Sequence, residues 1–123
     1  MELLKEIYST LSTTPAIISH LAEGANGVWA DLTDYSGRRP VIAYSVISDV
    51  PSLFGDDMEI GRRVTVQISI VTTDGADNAI VKGVNAAMQR IGWTRESTNR
   101  VTDGKDRITA LRFMILDTEK EGI

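Results

Sequence analysis

The stretch Gly61-Arg-Arg-Val-Thr-Val-Gln-Ile-Ser-Ile-Val-Thr-Thr73 constrains the fold more than any other part of the chain. Val64, Val66, Ile68 and Ile70 alternate with Arg63, Thr65, Gln67 and Ser69, the period of two of a strand with one face in a core. The chain then passes directly into an amphipathic helix predicted over Asp74 to Ile91. Asp74 suits the N-cap and Asp77 the first turn, where free amides and the helix dipole favour carboxylates. Ala76, Ile80, Val84, Ala87, Met88 and Ile91 recur at helical spacing, and Gly92 suits the left-handed position that ends a helix. Gly83 lies inside this helix at a cost of up to about 1 kcal/mol relative to alanine, which close packing of the backbone on a sheet would justify.

The neighbouring segments supply the rest of a sheet. Val28 to Leu32 is expected as a short strand, and Val41 to Ser48, β-branched and preceded by Pro40, as another. Trp93 to Ser97 and Arg107 to Leu116 add two more, with the Asp103-Gly104 pair marking a hairpin turn between Thr102 and Asp106. Leu111, Phe113 and Ile115 share one face of the last strand. Ahead of the sheet, Glu2 to Leu11 reads as a short helix through Leu3, Leu4, Ile7, Tyr8 and Leu11. Thr14 and Pro15 open a second helix over Ala16 to Ala22 that ends at Gly24. Asp49 to Ile60 is left as a long loop, unusual in that it combines Asp56, Asp57 and Glu59 with Leu53, Phe54, Met58 and Ile60. The tail after Asp117 is charged and expected to fray. The order predicts an α+β domain spanning 1–123: a mainly antiparallel sheet of four to five strands, one long helix packed on a face, and short N-terminal helices.

Composition narrows the chemistry. The 123 residues contain no cysteine, which excludes disulfides, thiolate metal sites and cysteine nucleophiles. A formal charge of -4 argues against broad phosphate neutralisation by this surface. The N-terminus is amphipathic and charged, unlike a signal peptide, and no apolar run approaches the roughly 20 residues that cross a bilayer.

The candidate reactive residues favour structural readings. His20 is the sole histidine, and a catalytic base needs an orienting partner and a nucleophile beside it. Asp56, Asp57 and Glu59 offer hard oxygen ligands but lack the alternation of a calcium loop, so a solvated acidic rim is favoured over a metal site. Asp103-Gly104-Lys105-Asp106 reads as a turn. Arg38-Arg39 and Arg62-Arg63 suggest phosphate binding, yet pairing Ser48 near Gly61 sets the two pairs roughly 30 Å apart at about 3.3 Å per residue. Within an assembly each pair suits the acidic loop of a neighbour, because guanidinium forks match carboxylates. Phosphate-loop, dinucleotide and serine-elbow motifs are absent from the sequence. No catalytic residue, metal ligand or cofactor is expected.

The order of parts resembles the tail-completion, or tail-terminator, family of tailed bacteriophages. The residues that carry the resemblance are Leu3-Leu-Lys-Glu-Ile-Tyr-Ser-Thr-Leu11, the proline-containing second segment, and the strand Pro40-Val-Ile-Ala-Tyr-Ser-Val-Ile-Ser48. They continue with the acidic loop, Arg63-Val-Thr-Val-Gln-Ile-Ser-Ile-Val71, the Asp-led helix, and Arg107-Ile-Thr-Ala-Leu-Arg-Phe113. The resemblance covers about the whole chain and contains structural motifs without a reactive signature. It implies a non-enzymatic virion protein that is assembled in the host cytoplasm and forms a homo-oligomeric ring, often a hexamer. The ring would cap the tail tube and join tail to head, meeting the tube protein and head-connector proteins while DNA passes through without sequence-specific binding. Leu53, Phe54, Asp56, Asp57, Met58, Glu59, Arg62 and Arg63 are then the expected subunit or tube interface. The loop carboxylates have the alternative role of lining the lumen, where repulsion keeps DNA from sticking. The competing expectations are a neck connector of similar size and ring habit, and a small non-viral module that binds a metabolite or metal.

Overall fold

The computed structural model describes residues 2–30, 38–55 and 58–117, with side chains described at all of these except 2, 52–55 and 58–60. Helix α1 (Glu2–Thr13) and the single turn of α2 (Pro15–Ile18) are followed by a 3-10 turn at Gly24–Gly27 and the two-residue strand β1 (Val28–Trp29). Then come β2 (Val41–Gly55), β3 (Met58–Thr72), α3 (Asn78–Arg90), β4 (Thr94–Asp103) and β5 (Asp106–Asp117). The strands lie in the order β1-β2-β3-β5-β4; β1 is parallel to β2 and every other neighbour is antiparallel. This is the α+β architecture that the alternating and helical periods imply.

The period of two in β3 fixes which side of the sheet is covered. Val64, Val66, Ile68 and Ile70 are fully buried in one cluster with Ile7 and Leu11 of α1, Ile17 of α2, and Ile80, Val84 and Met88 of α3. Leu111 and Phe113 on β5 join from the neighbouring strand. Each such aliphatic side chain contributes about 1.5–3 kcal/mol by leaving water, so the cluster ties all three helices to one face. On the other face Gln67 accepts a hydrogen bond from Arg112 Nε at 3.2 Å and donates one to Ser69 Oγ at 3.1 Å. The sheet is therefore apolar toward the helices, while its other side places these polar bonds beside buried Val41, Ala43 and Val71.

Several local expectations change. Asp49 to Ile60 is not a loop: β2 runs on to Gly55, β3 starts at Met58, and the two pair down to Gly55 opposite Met58. Ser48 lies opposite Thr65 and Leu53 opposite Gly61, a register different from the one the sequence suggests, with shifts after Val46, Pro51 and Leu53. Pro51 marked the segment as a breaker. Past Ala43, however, β1 no longer flanks β2, and a residue without an N–H is tolerated on an edge strand. At the start of α3 the Asp74 carboxylate accepts the Ala76 amide at 3.0 Å in a local turn, and Gly75 has φ 75, outside the right-handed helix. The helix accordingly begins at Asn78, with Asp77 rather than Asp74 at the N-cap position and making no capping bond.

Gly92 does end the helix. At φ 100 it lets Trp93 N–H reach Met88 O at 3.0 Å while its own N–H reaches Gln89 O at 3.1 Å, the bonding pattern of a Schellman motif. Trp93 closes the helix inside the core, 2% exposed, and the following strand runs to Asp103 rather than Ser97. The second helix stops at Ile18 instead of Ala22, and the Thr14 hydroxyl bonds back to Thr10 O at 2.6 Å instead of capping it. Of the first strand, Val28 and Trp29 are strand; Leu32 lies outside the described residues.

Candidate functional site

Among the described residues, the hairpin of β2 and β3 extends beyond the strand that flanks it. The last residue of β5, Asp117, lies opposite Arg62, so beyond that point the two arms pair with each other and with no third strand among the described residues. Within the arms Leu53 faces Gly61, Phe54 faces Glu59 and Gly55 faces Met58. The pairing thus brings Leu53, Phe54, Met58 and Glu59 together near one end of a ribbon. Their side chains, and all of Asp56 and Asp57, lie outside the described residues.

Arg62 sits at the root of the arms. Its Nε and Nη2 donate to Asp117 Oδ2 at 3.2 and 3.0 Å, and Nη1 donates to Asp49 Oδ2 at 3.2 Å. One guanidinium therefore ties the penultimate stretch of β2, the start of β3 and the end of β5 at the level where the ribbon leaves the sheet. Arg62, expected as an interface residue, is committed to this internal anchor, whereas Arg63 is exposed on the opposite face. The other arginine pair is likewise used within the chain. Arg39 donates to both carboxylate oxygens of Asp106 at 3.2 Å, and Arg38 donates to Glu23 Oε2 at 3.3 Å and Ala22 O at 3.2 Å. Arg38, Arg39 and Arg62 thus each face a carboxylate of the same chain, which argues against a paired-guanidinium phosphate site.

A second feature was not legible in the sequence. Where β1 ends, an open groove of about 720 Å³ lies between α1 and β2, lined by Leu4, Lys5, Tyr8, Ala30, Tyr44, Ser45 and Val46. Tyr8 and Tyr44 meet here with ring centroids 6.4 Å apart and planes at 45°. Tyr8 is 44% exposed and Val46 37% exposed, although Tyr44 is buried. The sequence placed Tyr8 on the apolar stripe of α1; its position at the rim of the groove depends on the packing of α1 against β2. Burial, and next the neighbouring Tyr8, push the Tyr44 phenol above its ordinary 10.0. Because the folded chain favours the neutral phenol, the stability that Tyr44 contributes is complete below the unfolded value. It is lost as pH rises through the higher folded one. Urea unfolding at pH 9 and pH 11 is expected to show a loss of stability that is smaller in Tyr44→Phe.

The third cluster is structural. Asp77, 2% exposed, accepts hydrogen bonds from the Thr109 hydroxyl and from Arg100 Nη1, which lies 3.4 Å from Oδ2 and also donates to Thr109 Oγ1 at 3.1 Å. It joins the start of α3 to β4 and β5. Replacing Thr109 by valine leaves a buried carboxylate short of its hydroxyl donor and is expected to cost about 1–3 kcal/mol in urea unfolding. Thr109→Ser is expected to retain most of the stability. His20 is exposed, and no group of three or more histidine, aspartate or glutamate side chains lies together in metal-binding geometry among the described residues. No helix among the described residues is long and apolar enough to cross a membrane.

Comparison with protein-family models gave no match, and comparison with curated proteins gave no significant one.

Proposed function

We propose that this chain is a non-enzymatic assembly protein of a tailed bacteriophage, a tail-completion protein that closes the end of the tail tube as a ring of identical subunits and joins it to the head. The observation that carries the reading is the β2–β3 ribbon projecting past Asp117 from a body whose apolar side is already filled by three helices. A two-stranded ribbon that extends past its neighbouring strand among the described residues is suited to reaching a neighbour. Ring closure requires two different surfaces on each subunit, repeated by rotation. The ribbon supplies one, with Leu53, Phe54, Asp56, Asp57, Met58 and Glu59 as its contact residues, and Arg62 holds its root.

The partners in this reading are further copies of the chain, the tail tube protein and head-connector proteins, and the site of action is the tail or neck of the virion. A net charge of -4 per subunit suits a ring through which DNA passes without being held. The test is native mass and light scattering over a range of protein concentrations, with and without isolated tail tubes. A closed oligomer, or a monomer that binds tube ends and there becomes a ring, is the expected result. A concentration-independent monomer with no affinity for tubes overturns the proposal, and a ring that binds portal assemblies but not tubes replaces it with a neck connector.

A further inference from the structure

We infer that strand β4 pairs antiparallel with β4 of a second copy of this chain, about a two-fold axis at Asn99. This goes beyond the ring proposed above, because a two-fold contact uses one surface twice and needs neither tail tube nor connector.

β4 closes one side of the sheet, and among the described residues no strand lies beyond it. Its outer edge therefore offers a row of backbone N–H and C=O groups to an incoming strand. Edges that stay single are blunted by proline, lysine, outward charge or bulges. Thr94–Asp103 contains neither proline nor lysine, and its one register shift falls between Arg95 and Ser97. From Ser97 to Asp103 the strand follows β5 without a break. The one charged side chain from Ser97 to Val101 is Arg100, and it is turned back onto Asp77 Oδ2 at 3.4 Å and Thr109 Oγ1 at 3.1 Å. Thr98, Asn99 and Val101 are exposed, Val101 by 55%. The middle of the edge is thus open, regular and without outward charge.

The occupant is a second copy because the strand is compatible with itself in one register. Pairing about an axis normal to the sheet makes each face of one copy continuous with the same face of the other, so opposed residues share a face. Centred on Asn99, Ser97 of one copy faces Val101 of the other, Thr98 faces Arg100, and Asn99 faces Asn99. No like charges meet, and the two Asn99 amides both donate and accept across the axis. Centring on Arg100 sets two guanidinium groups opposite each other. Centring on Thr98 brings Arg95, across the bulge, opposite Arg100. Like charges so placed are destabilising. Registers centred farther toward either end leave about half of the strand unpaired.

The chain contains no cysteine, so single replacements report the contact. Asn99→Cys protein oxidised with glutathione disulfide is expected to give a disulfide-linked dimer, and Ser97→Cys mixed with Val101→Cys a dimer of one chain of each kind. Ala86→Cys, exposed on α3, is expected to give none. In native mass and light scattering, Asn99→Lys and Asn99→Asp are each expected to weaken self-association about fivefold by opposing like charges at the axis. An equimolar mixture of the two is expected to restore it, a rescue that misfolding does not produce. Cross-linking through Arg100→Cys but not Asn99→Cys overturns the inference. Oligomers that show no Asn99 cross-link and are indifferent to both charges overturn it and leave the ring standing. A chain that stays monomeric at every concentration yet binds tube ends does the same, and one that does neither overturns both.

Discussion

Phe113→Ala is expected to lower the stability of the fold by about 3–5 kcal/mol, the usual cost of deleting a fully buried aromatic ring whose surroundings cannot collapse into the space. Phe113 is 0% exposed and lies opposite Val66 of β3, in the centre of the helix-facing side of the sheet. Its neighbours come from elements far apart in the chain, so no single loop can move to fill the void. The control is three residues away on the same strand. Leu116 points to the other face and is 48% exposed, so Leu116→Ala is expected to change stability by no more than about 0.5 kcal/mol. Urea unfolding of both variants measures the difference. Equal effects would contradict the burial of Phe113 and the exposure of Leu116.

The second large effect is expected at Gly83. A Cβ built there would stand 3.0 Å from Ile17 Cγ1 and 3.1 Å from the backbone oxygen of Ala16. The Ile17 side chain is itself fully buried, and a carbonyl cannot rotate away without breaking the turn of α2. Alanine at this position gains about 1 kcal/mol of helix propensity against an overpacking cost of about 1–3 kcal/mol, for a small net loss. Valine has little of that gain and adds two methyl groups, so Gly83→Val is expected to lose about 3 kcal/mol in urea unfolding. Ala86→Gly on the exposed side of α3 provides the propensity reference, at about 1 kcal/mol. The contact is made by α2, where the sequence suggested the sheet. Glycine was read correctly as a site of close approach, because nothing else favours it in a helix interior, but the approaching surface could be found only once the helices were packed.

The same division runs through the candidate site. Leu53, Phe54, Met58 and Glu59 stood out in the sequence because the segment combined apolar with acidic residues, an apolar content that a freely solvated loop has no reason to hold. Their pairing into a ribbon was hidden by Pro51 and the Asp-Asp pair, both local signals of a break. That proline is acceptable because β2 is an edge strand at that level, a property of strand order rather than of any window of sequence. Arg62 and Arg63 are adjacent and chemically identical. Their separation into an ion-paired anchor and an exposed cation follows from strand parity and from where β5 ends.

By itself the sequence determined the alternation of β3, the helical face of Ile80, Val84 and Met88, the Gly92 stop and the Asp103-Gly104 turn. These depend on residues close together in the chain, whose periodicity and backbone preferences act locally. Only the tertiary structure decided that Asp77, at the N-cap position, turns its carboxylate to a buried junction with Thr109 and Arg100 and that Arg62 ties three strands. It also decided that Tyr8, on the apolar stripe of α1, is left 44% exposed. Each of these depends on which distant segment arrives beside the residue, and burial and ion pairing are set by that neighbour.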